Sequence, residues 1–136
     1  MRRRRALTEC ALQGVGYTEL EAATLPDHML DAALCGYEDS GLPKILNIVD
    51  HLKAAQPRCP MQVLRETPLS TLYDGSNQNG MLTMHHATRA AIGKANEHGM
   101  ALVGVTNSWN SGRSAYFVEM IARADLVGIH TFSPAA

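Results

Sequence analysis

Ala101-Leu102-Val103-Gly104-Val105, the polar stretch Thr106-Asn107-Ser108-Trp109-Asn110-Ser111-Gly112-Arg113, the segment Ser114 to Ala124 and the run Leu126-Val127-Gly128-Ile129 together decide the fold class. The first five residues read as a near-continuous apolar strand. Ser114 to Ala124 places Phe117, Met120, Ile121 and Ala124 at helical spacing, and Leu126–Ile129 is a second apolar run of strand length. Strands buried on both faces and joined by a helix describe a βαβ unit in a parallel sheet. In an open sheet of this kind ligands lie beyond the carboxyl ends of the strands, beside helix N-termini. That place is the loop Thr106–Arg113, dense in short donors and acceptors, with one aromatic plane and one cation. It opens onto a helix N-terminus, whose open N–H groups favour a carboxylate or phosphate. The same composition also suits an ordinary polar turn with Ser114 as the helix N-cap.

Upstream of this core the pattern changes twice. The N-terminal part reads as helices: Ala6 to Gln13, stopped by Gly14 and Gly16, and a second helix after Thr18-Glu19-Leu20-Glu21. Those four residues have capping-box spacing. Leu25, Met29, Ala32 and Ala33 follow at helical spacing as far as Gly36. Pro26, inside this pattern, is expected to kink or restart the helix. A third helix begins near Pro43 as a first-turn proline. Ile45, Ile48, Val49 and Leu52 then lie on one face. Gln56-Pro57-Arg58-Cys59-Pro60 is a breaker, dividing a helical region, 1–56, from an α/β region, 61–136, continuous with it. Beyond the breaker, Met61–Glu66 and Leu69–Tyr73 are strand candidates around Thr67-Pro68. Asp74–Gly80 is a loop of residues that tolerate left-handed backbone. Thr83–His98 is a helix with an inner stripe of Met84, Ala87, Ala91 and Ala95, ended by Gly99.

Composition bounds the rest. Of 136 residues 46% are hydrophobic and 18% charged. That is enough apolar matter for a packed core, which excludes disordered and low-complexity classes. Twelve Lys+Arg against thirteen Asp+Glu give a net charge of -1. No broad field therefore draws the chain to nucleic acid or to an anionic membrane. Arg2-Arg3-Arg4-Arg5 is the local exception, shorter than a basic-patch motif and read as a loose terminus rather than a nucleic-acid anchor. No apolar run reaches the roughly 18 residues of a membrane span. Three widely spaced cysteines, Cys10, Cys35 and Cys59, fit reduced thiols in a cytoplasmic protein better than a disulfide framework or a zinc site. Gly14-Val15-Gly16 lacks the third glycine of a dinucleotide fingerprint. His85-His86, Asp27-His28 and Asp50-His51 are adjacent pairs that point apart on a helix. No metal site is expected from them, and surface histidines are the reading.

In order along the chain, several short segments resemble the malate/L-lactate dehydrogenase family, which also holds ureidoglycolate, sulfolactate and Δ1-piperideine-2-carboxylate oxidoreductases. They are Asp31-Ala32-Ala33-Leu34-Cys35-Gly36 with Ser40-Gly41-Leu42-Pro43-Lys44, then Glu66-Thr67, Asp74-Gly75 and Asn79-Gly80. Glu97–Val105 follows, leading into Asn107-Ser108 and Gly112, and then Tyr116-Phe117, Met120 and Ala122-Arg123-Ala124. The resemblance implies a non-Rossmann α/β fold, with an N-terminal helical region packed on a mixed α/β domain that is C-terminally incomplete. It implies a fragment of an oxidoreductase that uses NAD or NADP on 2-hydroxy and 2-oxo acids. The expected partners are such a small acid and either a second copy in a homodimer or a complementing C-terminal fragment. The alternative is a non-catalytic remnant that folds, oligomerises or binds a small carboxylate without turnover.

The resemblance also assigns candidate site residues. Ser40 stands at a family histidine position and Lys44 at a family arginine position. Asn110 stands where the family carries the histidine that exchanges the proton accompanying hydride transfer. Asn107, Ser108, Ser111 and Gly112 are the candidates for substrate or cofactor contact. An imidazole titrates near the working pH; an asparagine amide can hydrogen-bond a carbonyl but cannot titrate there. Lys44 can hold a carboxylate as a point charge, with less geometric control than a bidentate arginine.

Overall fold

The computed structural model describes residues 2–51 and 54–133, with side chains from Arg5 onward in the first helix. The chain forms two compact units, Met1–Cys59 and Pro60–Ala136.

The first unit is helical. Helix α1 spans Arg2–Gly14, α2 spans Glu19–Leu34, a single 3₁₀ turn covers Glu38–Ser40, and α3 spans Lys44–Asp50. The capping box forms as its spacing predicts. The Thr18 hydroxyl accepts from the Glu21 N–H at 3.3 Å, and the Glu21 carboxylate accepts from the Thr18 N–H at 2.8 Å. Leu12, Ala22, Leu25, Met29, Ala32 and Ile48 are fully buried and make the core of the unit. Tyr17 joins them under the Arg58 guanidinium, which lies 3.8 Å above its ring and donates to the Gly16 carbonyl. Burial pushes the Tyr17 phenol up.

Several expectations need correction here. The arginine run is not a loose terminus: α1 reaches back to Arg2, and Arg5 pairs with Glu9 at 2.8 Å and with Asp27 at 2.6 Å. Pro26 neither ends nor restarts α2, which runs through it. The ring is buried, so packing offsets the lost N–H. His28 is a core residue at 2% exposure rather than a surface one. It shares the inner face of α2 with Leu25, Met29 and Ala32. Of the expected α3 face, Ile48 is buried, Ile45 and Val49 are half-buried, and Leu52 lies outside the described residues.

The second unit is a three-stranded sheet with two helices. Strand β1, Gln62–Glu66, pairs antiparallel with β2, Ser70–Asp74, and β2 pairs parallel with β3, Leu102–Thr106, in the order β1-β2-β3. Helix α4, Gly80–His98, connects the two parallel strands, and α5, Ser114–Ala122, follows β3. The β1–β2 turn is closed by the Thr67 hydroxyl, which accepts from the Ser70 N–H at 2.9 Å. Lys94 of α4 reaches this turn, donating to the Thr67 carbonyl at 2.9 Å and pairing with Glu66 at 3.0 Å. That pairing holds the Glu66 carboxyl below the usual carboxylate range. Asn79 caps α4 by accepting from the Met81 N–H at 3.0 Å, and Gly99 ends it with a left-handed φ of 84°.

The parallel βαβ unit is therefore present but one element upstream of where the sequence puts it: β2-α4-β3 instead of a unit ending in Leu126–Ile129. That run is not a strand. An apolar segment becomes a strand only when a neighbour takes its backbone N–H and C=O groups. Among the described residues none does. The helix before it ends in a Schellman pattern, with Leu126 N–H donating to the Ile121 carbonyl and Asp125 N–H to the Ala122 carbonyl. The strands are not buried on both faces. All of β1 is exposed, and Leu102 of β3 is 72% exposed. In β2 only Thr71 and Tyr73 are buried, on the face that meets α4, where Tyr73 packs edge-on against His86. The N-cap of α5 is Arg113 rather than Ser114, with no side-chain cap bond. Met81, Thr83, Ala87 and Thr88, rather than the full stripe Met84, Ala87, Ala91 and Ala95, are the buried side chains of α4. Phe117 is the fully buried side chain of α5.

Two substitutions test these anchors by chemical denaturation. Thr18→Ala removes one half of the capping box and is expected to cost about 1 kcal/mol. Gly99→Ala puts a Cβ on a left-handed residue and is expected to cost about 1 kcal/mol as well. An unchanged denaturation midpoint for either variant contradicts the corresponding cap.

Candidate functional site

Two loops meet at the carboxyl ends of the parallel strands in the second unit. One is 74–80, between β2 and α4; the other is 106–113, between β3 and α5. Their backbones interlock. Gly75 N–H donates to the Thr106 carbonyl at 2.8 Å, Asn77 N–H to the Asn107 carbonyl at 2.9 Å, and Trp109 N–H to the Gln78 carbonyl at 3.3 Å, while Gly80 N–H donates back to Trp109. Asn79 and Trp109 form an isolated parallel bridge. The pairing of β2 with β3 thus continues past the strand ends into loops.

Side chains fasten the same seam. Asp74 accepts from the Ser76 N–H at 2.7 Å and from the Asn107 amide at 3.2 Å. The first of these is an Asx-turn contact. The Trp109 indole N–H donates to the Asn77 carbonyl at 3.0 Å, and Trp109 is 8% exposed. The left-handed backbone that such a turn needs is carried by Ser76, Asn77, Asn107 and Asn110, with φ of 48°, 60°, 50° and 58°. Asparagine tolerates this region better than most side chains. Gly80 is demanded by proximity: a Cβ there would sit 2.7 Å from Ser111 Cα and 2.8 Å from Ser111 N.

This geometry divides the expected site residues. Trp109 is a structural wedge rather than an aromatic plane offered to a ligand. Arg113 is not a loose cation either: its side chain is 10% exposed and its guanidinium donates to Glu119 at 3.1 Å. Asn107 is bonded to Asp74. Ser108, Asn110 and Ser111 are half-buried and make no side-chain hydrogen bond among the described residues. They keep their donors and acceptors for something else. Gly112, with φ of 74°, turns the chain into α5.

The helix N-termini differ in the same way. At α4 the first four N–H groups are taken, Gly80 by the Trp109 carbonyl, Met81 by the Asn79 side chain, and Leu82 and Thr83 by the Asn79 carbonyl. At α5 the Ser114 and Ala115 N–H groups have no acceptor among the described residues. The loop side chains and these N–H groups suit a carboxylate or carboxamide. They do not suit the two phosphates of a dinucleotide, which want cations or a longer run of open N–H groups. The one cation of the loop is committed to Glu119. The described histidine, cysteine, aspartate and glutamate side chains form no group of three that could hold a metal ion. No helix among the described residues is long and apolar enough to cross a membrane.

In the first unit, Ser40 closes the 3₁₀ turn, its N–H donating to the Tyr37 carbonyl at 3.1 Å, and Lys44 begins α3 with its N–H on the Gly41 carbonyl at 3.0 Å. Both side chains are half-buried. Sequence reasoning misses the scaffold of the second-unit site, Asp74, Asn77, Asn79 and Gly80. Asp74 two positions before Ser76 is a legible Asx-turn signal. Its bond to Asn107, far along the chain, is not.

Known proteins share this outline. A sequence profile of the malate/L-lactate dehydrogenase family matches residues 2–135. Hydroxycarboxylate dehydrogenase B of Escherichia coli K12 is 31% identical over 130 residues, covering 92% of this chain and 35% of that protein. A malate dehydrogenase of Pyrococcus abyssi is 30% identical over 122 residues, covering 87% and 33%. The solved malate dehydrogenase of Pyrococcus horikoshii OT3 superposes with a TM-score of 0.84 at 27% identity, covering 90% of this chain and 36% of that one. The sulfolactate dehydrogenase of Methanocaldococcus jannaschii does so with a TM-score of 0.85 at 25% identity, covering 91% and 37%. The chain thus spans about 35% of the length of the curated relatives it matches. In sequence and in fold, the chain belongs to the malate/L-lactate dehydrogenase family.

Proposed function

We propose that this chain is the acid-recognising portion of an oxidoreductase that interconverts 2-hydroxy and 2-oxo acids with NAD or NADP in the cytoplasm. The observation that carries the reading is the division of labour in loop 106–113. Asn107, Trp109 and Arg113 fix the loop, while Ser108, Asn110 and Ser111 retain open polar atoms beside the first N–H groups of α5. Such a set can hold the carboxylate and orient the carbonyl of a small acid. The dinucleotide is assigned to polypeptide outside this loop, whose groups do not suit its phosphates. Within the first unit, Lys44 is the candidate cation for a carboxylate, and Ser40 a hydrogen-bonding group near it in sequence.

Asn110 sets the chemistry of the reading. Reduction of a carbonyl needs a proton for the new alkoxide, and an amide can orient the oxygen without supplying that proton. Position 110 is left-handed. Histidine as well as asparagine is enriched in that conformation, so an imidazole fits the same backbone.

Calorimetric titration with a panel of 2-oxo acids tests the reading. The expected result is saturable binding that is flat from about pH 5.5 to 8, because the loop holds no histidine to titrate in that range. Asn110→His is expected to tighten binding about tenfold as pH falls through about 6.5, because the imidazolium adds a charge-assisted hydrogen bond to the bound anion. Failure of both the parent and Asn110→His to bind any of the acids overturns the reading. Binding with no oxidation of NADH or NADPH by the chain, alone or joined to polypeptide that carries the cofactor, selects the non-catalytic alternative.

Rigidity of the loop is part of the same reading. Gly80→Ala drives a Cβ into the backbone at Ser111 and is expected to destabilise the chain by about 2 kcal/mol. Acid affinity should fall with it in the same titration, and a Gly80→Ala protein that binds as the parent does would remove the seam from the argument.

A further inference from the structure

Residues 126–132 are patterned as a strand without being one. Exposure alternates with a period of two: Val127 is 99% exposed and Ile129 89%, while Leu126, Gly128 and His130 are turned inward and half-buried. The inward set rests on α5. Gly128 lies so close to Ile121 that a Cβ would meet its Cδ1 at 2.6 Å, and the His130 ring packs on Phe117 at 5.3 Å between centroids. Burial against this helix lowers the His130 imidazole pKa, so the ring sits there in its neutral, packing form. The backbone from 127 to 133 makes no hydrogen bond among the described residues. The segment is thus extended, anchored on one face and apolar on the other, with its edge groups open. It contains no Lys, Arg, Asp or Glu. Charges of that kind guard a solvent-facing edge strand.

We infer that 126–132 is an acceptor strand. Its occupant is a β-strand of the polypeptide that corresponds to the part of the relatives lying outside the match. Two facts favour that occupant over a second copy of this chain. The relatives carry most of their length beyond the region they share with it, since the shared region is 35% of each. The outward side chains, Val127, Ile129 and Phe132, are also few. They fall short of the roughly 800 Å² that each partner of a stable dimer buries. Strand addition asks less of them: main-chain bonds supply the affinity and alternate side chains the register.

The test joins this full chain with the portion of Escherichia coli hydroxycarboxylate dehydrogenase B outside its 130 aligned residues, co-expressed and purified through a tag on the latter. The expected result is a one-to-one complex in which the amides of 127–132, unprotected from hydrogen exchange in the chain alone, exchange at least tenfold more slowly. Val127→Lys with Ile129→Lys should abolish the complex. Both side chains are almost fully exposed, so this variant keeps the parent's own denaturation midpoint. Absence of the complex, or a complex that leaves 127–132 unprotected, overturns the inference. So does a concentration-dependent dimer of the chain alone that protects 127–132, since a second copy is then the occupant. The readout is assembly, so it stands or falls separately from acid binding at loop 106–113.

Discussion

The seam between loops 74–80 and 106–111 is the constraint from which the second unit takes its shape. Parallel strands pair through evenly spaced, slanted bonds, and here that pairing does not stop where β2 and β3 stop. It runs on through Gly75, Asn77, Gln78 and Gly80 on one side and Thr106, Asn107 and Trp109 on the other. Irregular backbone at the end of a sheet normally leaves polar groups for water to satisfy. In this seam each loop satisfies the other. The cost appears in conformation: Ser76, Asn77, Asn107 and Asn110 all adopt positive φ. Such backbone is unfavourable to some degree even for asparagine. What results is a loop whose ligand-facing groups are fixed before any ligand arrives, so a bound acid need not order them.

This seam also explains why Trp109 and Arg113, the two residues that stand out in the loop sequence, carry structure rather than recognition. An indole is a large apolar body with one donor, and burying it satisfies both needs at once when that donor meets a backbone carbonyl. The Asn77 carbonyl is that acceptor. Arg113 is drawn to Glu119, in the second turn of the helix it precedes. What remains for chemistry is the less conspicuous set, serine and asparagine side chains whose small size keeps them clear of the packing.

How much of this is legible in the sequence varies with the range of the interaction involved. The Thr18 capping box and the Gly99 stop are set by residues close together in the chain, and both form where the pattern puts them. The family is legible as well, because the order of many short segments survives even where no single one is decisive. Burial is less so. His28 reads as a surface residue until α2 is rolled onto its inner face. The apolar run Leu126–Ile129 reads as a strand because hydrophobic pattern records what a segment is suited to pair with, not whether the partner is at hand. The true βαβ unit escapes for a related reason. β2 is short and half polar, Ser70-Thr71-Leu72-Tyr73-Asp74, since only Thr71 and Tyr73 face α4. It lacks the continuous apolar signature of a strand covered on both faces.

The exchange of a titrating ring for an amide at position 110 is permitted by the backbone and consequential for the chemistry. The φ there is 58°. Few side chains adopt such backbone at low cost, and asparagine and histidine are both among them. The fold therefore exerts little force against the exchange: neither the seam nor α5 depends on the side chain of Asn110, which bonds to neither. What changes is the division between holding and reacting. An amide offers a donor and an acceptor at every pH, so it can orient a carbonyl as an imidazole does. It cannot pass through a protonated state, so the proton that completes a reduction must come from another group or from water. Recognition of an acid and its turnover are thus separable in this family's architecture, and loop 106–113 retains the groups for the first without the ring that serves the second.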